Sequence, residues 1–175
     1  MYTIVQPDKA TVHEEDTEGN KAATTIFLAG TIEMGAGARW QAEAARRIHQ
    51  TLLAKTNDRT MPALEFYNPR RDANFTPEMA DPQIRWEQER LIDSDYIFMY
   101  LQPDTKSPIS LLEFGQFIRT GKLYLSCSPD FYRYSNLIIT AEFNHARDHV
   151  LNNIDDCIDT MTDAIVRQWK TEGLV

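Results

Sequence analysis

The chain has little of what several protein classes depend on. Its two cysteines in 175 residues, Cys127 and Cys157, lie outside any Cys-x-x-Cys spacing. That favours reduced, partly buried thiols over a disulfide or a cysteine zinc knuckle. Basic residues are outnumbered, with 18 Lys and Arg against 26 Asp and Glu and a formal net charge of -8. This balance opposes a phosphate backbone, and no local Lys/Arg cluster reverses it, so nucleic acid is not an expected partner. No apolar run reaches bilayer length, and MYTIVQPDKATVHEED has no basic region leading into an apolar one. Neither a membrane partner nor a secretory leader is expected, and the chain reads as cytosolic. No Gly-x-Ser-x-Gly surrounds a serine, so the usual setting of a nucleophilic serine is missing. His145 and His149 have the spacing of a helical metal pair but no third ligand nearby, so no metal and no cofactor are expected.

What is present suffices for one domain with a real core, at 42% hydrophobic residues. Residues 1–22 are polar and acidic and read as an extension, with a short hairpin over 2–12; residues 23–175 make up the domain. From Thr24 onward TTIFLAG, ALEFYN, YIFMYL, LYLSC and a short run around 149–151 read as strands. They alternate with helical patterns over 39–54, 82–92, 108–120, 137–147 and 155–170. The alternation predicts an α/β fold, doubly wound in the flavodoxin or Rossmann manner, with a mainly parallel five-stranded sheet and helices on both faces.

Such sheets bind ligands beyond the carboxyl ends of their strands, which points to GTIEMGAGARW after the first strand, NPRRD after the second and QPDTKSP after the third. GTIEMGAG is not a P-loop, because no Gly-Lys-Ser/Thr follows, and it lacks the third glycine of a dinucleotide fingerprint. Its glycines serve either the turn into the next helix or close backbone approach to a small ligand. Arg70 and Arg71 either fork onto a phosphate or carboxylate or are solvated and paired with acids such as Asp72.

Two acids sit on apolar helix faces. In SPISLLEFGQF, a helix opened by Pro108 puts Ile109 and Phe117 one turn either side of Glu113, which carries its carboxylate toward the core. Glu113 is then either a working acid or the end of a Ser-x-x-Glu capping box begun by Ser110. In QIRWEQERLIDSD, Ile84, Glu87 and Leu91 share one face, and a local bond to Gln83 or Arg90 is the plain alternative for Glu87.

In order and spacing, IFLAGTI, NPRR, QIRWE followed by DSDYI, and SLLEFG resemble the nucleoside 2-deoxyribosyltransferase family and its relatives that hydrolyse deoxynucleotides at the N-glycosidic bond, from about Thr25 to about Asn136. The resemblance implies that Glu113 is the nucleophile and that Glu87, eight residues before Asp95, assists the leaving base; the family's spacing between its two acids, 26 residues, is kept here. It also implies substrate contacts from Gly30, Thr31, Asn68, Arg70, Arg71, Trp86, Asp95, Ser107 and Asn136. Asn136, matched across a two-residue gap, would come from a neighbouring subunit, so a homo-oligomer with shared active sites is expected. Two positions depart: Phe27 stands where some members carry a tyrosine, and Ser107 where some carry a sugar-binding aspartate. The implied activity is cleavage of a 2'-deoxyribonucleoside or its 5'-monophosphate through a deoxyribosyl ester of Glu113, with transfer of the sugar to another nucleobase. Hydrolysis, with water as acceptor, and a non-catalytic nucleotide-sensing domain on the same fold are the alternatives.

Overall fold

Strands and helices follow one another as the hydropathy pattern predicts, and every strand runs in the same direction as its neighbours. The computed structural model describes residues 2–7, 23–32, 40–57, 61–71 and 76–175. Within these, β1 (Tyr2–Val5), β2 (Thr24–Gly30), β3 (Leu64–Tyr67), β4 (Tyr96–Leu101), β5 (Leu123–Cys127) and β6 (Val150–Leu151) form one parallel sheet in the order β1-β3-β2-β4-β5-β6. Five helices cover it: α1 (Trp40–Lys55), α2 (Ala80–Asp93), α3 (Pro108–Phe117), α4 (Tyr134–Phe143) and α5 (Ile154–Thr171). From β2 onward this is the flavodoxin-like order.

Helices on both faces explain why the strands are continuously apolar instead of alternating. In β2, Ile26 and Leu28 join the core shared with α1 and α5, while Phe27 and Ala29 join the core shared with α2, α3 and α4. Helix α5 is capped by Asn153, whose side chain accepts from the Asp156 amide, and Trp169 near its other end donates from Nε1 to Thr24 Oγ1 at 2.9 Å. Both cysteines are free and buried, and burial pushes the Cys127 thiol up to about 12. Among the described residues, no helix is long and apolar enough to cross a membrane.

The sheet has six strands where the sequence pattern predicts five. Tyr2–Val5 pairs in parallel with β3, in register from Tyr2 opposite Leu64 to Val5 opposite Tyr67. Its partner is remote in sequence, so local alternation reads as the first arm of a hairpin; the second arm lies outside the described residues. The strand covers an edge of β3 that would otherwise be open.

The strand order reverses between β2 and β4, and the carboxyl ends of these strands border the crevice. Gly30 ends β2 at φ 128°, and a Cβ added there would fall on the Tyr100 carbonyl of β4. The packing of the sheet itself therefore requires this glycine.

Candidate active site

At the carboxyl end of β2, Thr31 is buried and held on every side. Its amide donates to Tyr100 O at 3.0 Å, and its carbonyl accepts from Trp40 Nε1 at 2.9 Å. Its hydroxyl accepts from the Gln102 amide at 3.1 Å and lies 2.7 Å from Ser107 Oγ and 3.2 Å from Thr105 Oγ1. Three hydroxyls thus cluster where the strand order reverses. Ser107 ends the loop after β4 in the left-handed region, φ 42°, and Pro108 follows as the first residue of α3. A serine in that conformation is a strained residue held by its surroundings.

That start sets the phase of α3. Ser110, Glu113, Phe114 and Phe117 turn inward, while Ile109 is 61% exposed and Leu112 59%. Two expectations fail here for the same reason. Ile109 does not flank Glu113 in the core, and no capping box joins Ser110 to Glu113, because Ser110 already lies in the first turn and the cap position belongs to Ser107. Glu113 is 6% exposed. Burial, and after it the charge of Glu87, pushes its carboxyl up to about 8.

Helix α2 starts near the same edge of the sheet. Gln83 and Leu91 are buried on its inner side, whereas Ile84, expected there, is 55% exposed. The inward face follows Gln83, Trp86, Glu87 and Leu91, at helical spacing, and leaves Ile84 outside. Trp86 packs on Phe27 and, edge-on, on Tyr67, each at 6.3 Å between ring centroids. Burial raises the proton affinity of Glu87, against a hydrogen bond from Gln83 and the charge of Arg71. Of the two local partners considered for Glu87, Gln83 is the one found; the Arg90 guanidinium instead sits over the Tyr67 ring, 5.2 Å from its centroid.

The loop after β3 meets this helix. Gln83 Nε2 donates to Glu87 Oε1 and, at 2.8 Å, to Pro69 O, while its Oε1 accepts from Arg71 Nε. The other side of the loop rests on the end of β1. Asn68 N donates to Val5 O at 2.9 Å, Gln6 Nε2 to Arg70 O at 2.7 Å, and Asn68 Oδ1 accepts from the Arg70 amide at 3.0 Å.

The structure thus ties Glu87 to Arg71 and Pro69 through Gln83 and sets it within electrostatic reach of Glu113, places Trp86 on the same side of α2, Asn68 and Arg70 on the adjoining loop, and Gly30, Thr31 and Ser107 together at the switch point. It does not bring Asp95 or Asn136 to the acids. Asp95 immediately precedes β4 at the opposite edge of the sheet, where its carboxylate accepts from Thr25 N at 2.8 Å and Thr25 Oγ1 at 2.9 Å. The cavity at that edge, about 330 Å³, is lined by Thr25, Asp93, Asp95, Trp169 and Glu172. Asn136 is exposed on α4, in a groove of about 240 Å³ with Leu111, Phe114, Gly115 and Thr140 that contains neither glutamate. Gly35, Gly37 and Asp72 lie outside the described residues. His149 stacks on Tyr124 at 4.3 Å with its Nδ1 3.0 Å from Leu123 O, and His145 is exposed. Among the described residues no three His, Cys, Asp or Glu side chains form a group that could hold a metal ion.

Three participants escaped the sequence reading. Gln6 gives no local signal, since its partner is 64 residues away. Thr105 and Gln102 sit in a loop singled out only as a whole. Chemically, the arrangement offers two coupled carboxyls that can share one proton, as a bond broken between a nucleophile and a proton donor requires.

A family model described as nucleoside 2-deoxyribosyltransferase like matches residues 23–131, more than half of the chain. No curated protein matches. The chain is also similar to a solved structure, that of a conserved protein from Enterococcus faecalis V583, at 17% identity and a TM-score of 0.57 over 82% of this chain and 99% of that one. At that identity the likeness shows a shared fold.

Proposed function

The chain belongs to the nucleoside 2-deoxyribosyltransferase-like family, and from that premise we propose that it cleaves the N-glycosidic bond of 2'-deoxyribonucleosides or their 5'-monophosphates. The observation that carries this reading is the pair of glutamates on α2 and α3, Glu113 buried and Glu87 partly buried, with the charge of Glu87 raising the proton affinity of Glu113. Glu113 attacks the anomeric carbon; the carbon–nitrogen bond breaks, its electron pair leaves with the base, and Glu87 gives that base a proton. The oxocarbenium-like sugar is held as an ester of Glu113. In the second half an incoming nucleobase attacks the same carbon, the ester bond breaks to return the Glu113 carboxylate, and Glu87 takes up the proton of the incoming nitrogen. Water in place of the base makes the same pair a hydrolase.

Phosphate recognition by Arg70 and Arg71 fits Ser107, a neutral hydroxyl where a sugar-binding acid would repel an anion. Self-association fits the outer faces of α2, α3 and α4, which leave Ile84, Ile92, Ile109, Leu112, Ile139 and Phe143 exposed, Phe143 at 84%. A second chain on this face would reach Asn136.

The deciding experiment incubates the protein with deoxyribonucleosides and their 5'-monophosphates, with and without a second free base, and separates the products by chromatography. Exchanged base identifies the transferase and free base alone the hydrolase. No product from any substrate leaves a non-catalytic nucleotide-binding domain and overturns the proposal.

A further inference from the structure

We infer that Gln83 is the positioning residue of the site: its side-chain amide fixes which oxygen of Glu87 meets the substrate and ties that carboxylate to the loop at 68–71. The inference rests on the reading of Glu87 as the proton donor. A glutamine amide has two donor hydrogens and one carbonyl acceptor. In Gln83, which is 7% exposed, all are engaged on three separate groups: Pro69 O, Glu87 Oε1 and Arg71 Nε. Turning the amide over would set its N–H against the Arg71 N–H and its carbonyl against the Pro69 carbonyl and the Glu87 carboxylate. Three mismatches lock the amide in one orientation.

Glu87 therefore always faces a donor. With Oε1 bonded to Gln83 and no other hydrogen bond to this carboxylate among the described residues, Oε2 is the oxygen that can reach a leaving base. The charged groups that face Glu87 are Arg71 from the loop and Glu113 from α3. Burial favours the acid, while the Gln83 donor and the charge of Arg71 favour the carboxylate. Gln83 keeps the acid strong enough to release its proton during bond breaking; without it, burial would hold the proton on Glu87 more tightly. Gln83 occupies the first turn of α2, four residues before Glu87, so the helix itself presents the amide to the acid.

The test uses Gln83→Met, which keeps the length of the side chain and loses its bonds, and Gln83→Glu, which keeps an acceptor for Arg71 but sets a second carboxylate beside Glu87. In each, the Glu87 carboxyl is titrated by NMR on protein labelled with ¹³C-glutamate, the signal being the one that Glu87→Gln removes, and kcat and KM are followed against pH. The expected result is an upward move of the Glu87 midpoint by roughly one pH unit in Gln83→Met and more in Gln83→Glu. With it, kcat falls about tenfold at little change in KM, and the limb of the pH profile lost in Glu87→Gln moves in step. A purely structural glutamine would lower the melting temperature and leave the Glu87 midpoint at its parent value, and that result overturns the inference. Should Gln83→Met not fold, the midpoint in Gln83→Glu decides. A parent protein without turnover on any deoxyribonucleoside or monophosphate would remove the proposed function, and the NMR titration would still decide the role of Gln83.

Discussion

Glu87 on α2 acts electrostatically on Glu113 on α3, so neither carboxyl titrates alone. In the free site the one proton rests on Glu113, and the proposed chemistry uses the form with the same number of protons in which it has passed to Glu87 and Glu113 is ionised. Acid adds a second proton, and above about pH 8 the last one is lost. kcat/KM should trace a bell with its alkaline limb near pH 8. Glu87→Gln removes the neighbouring charge and should lower the Glu113 midpoint, which an NMR titration reads directly. A flat profile between pH 6 and 9 contradicts the shared proton.

Replacing Glu113 by Gln separates structure from chemistry. An amide forms no sugar ester, so base exchange and hydrolysis should both fall by about 1000-fold or more. Stability should move the other way. Between the ordinary carboxyl value of 4.5 and about 8 the unfolded chain has released this proton while the folded chain keeps it. The contribution of Glu113 to stability therefore falls as pH rises through that window and levels off above it. Glu113→Gln should melt several degrees above the parent at pH 8, for a gain of roughly 4 kcal/mol, and the difference should close toward pH 4.5. Melting curves at the two pH values test this, and a variant within about tenfold of parental turnover would remove Glu113 from the chemistry.

Glu87→Gln should cost less, roughly 100-fold on an ordinary base, and least where the base departs without protonation. Turnover compared across leaving bases of graded acidity checks it; an equal loss for every base means that Glu87 donates no proton.

Much of this is legible in the sequence alone. Doubly covered strands show as unbroken apolar runs, so IFLA and YIFMYL specify a buried parallel sheet by themselves. The acids were visible as carboxylates inside apolar helical patterns, and family resemblance paired them. The phase of α3 was not visible, because it depends on whether Ser107 or Ser110 ends the loop, and a left-handed serine before a proline leaves no mark in hydropathy. Hydropathy turns Ile84 inward on α2, whereas the polar Gln83 takes the buried position, paired with Glu87 and with Pro69 and Arg71 of a loop that no helical wheel supplies. β1 was hidden for the same reason as Gln6, since parallel pairing joins segments far apart in the chain.

Arg70→Ala should lower kcat/KM for a 5'-monophosphate by roughly tenfold or more and leave the unphosphorylated nucleoside nearly unchanged. Kinetics on the matched pair of substrates measures it, and equal or better use of the nucleoside by the parent protein rejects phosphate recognition at this loop.

A single charge on the exposed apolar surface should test self-association. Phe143→Asp should shift the protein to smaller species in sedimentation velocity and, if Asn136 serves a neighbouring site, lower activity in proportion at dilute concentration. Full turnover from a parent protein that sediments as a monomer excludes shared sites.

The seam between β1 and the loop at 68–71 has a consequence for the order of assembly. β1 pairs with β3 alone, across a long stretch of intervening chain, so its docking carries a loop-closure cost that β2, β4 and β5 share among several partners. Until it docks, Asn68 and Arg70 lack the Val5 carbonyl and the Gln6 amide that hold them. During refolding, tryptophan burial in the core should therefore run ahead of the return of ligand binding, and the lag between the two signals times the closing of this one edge.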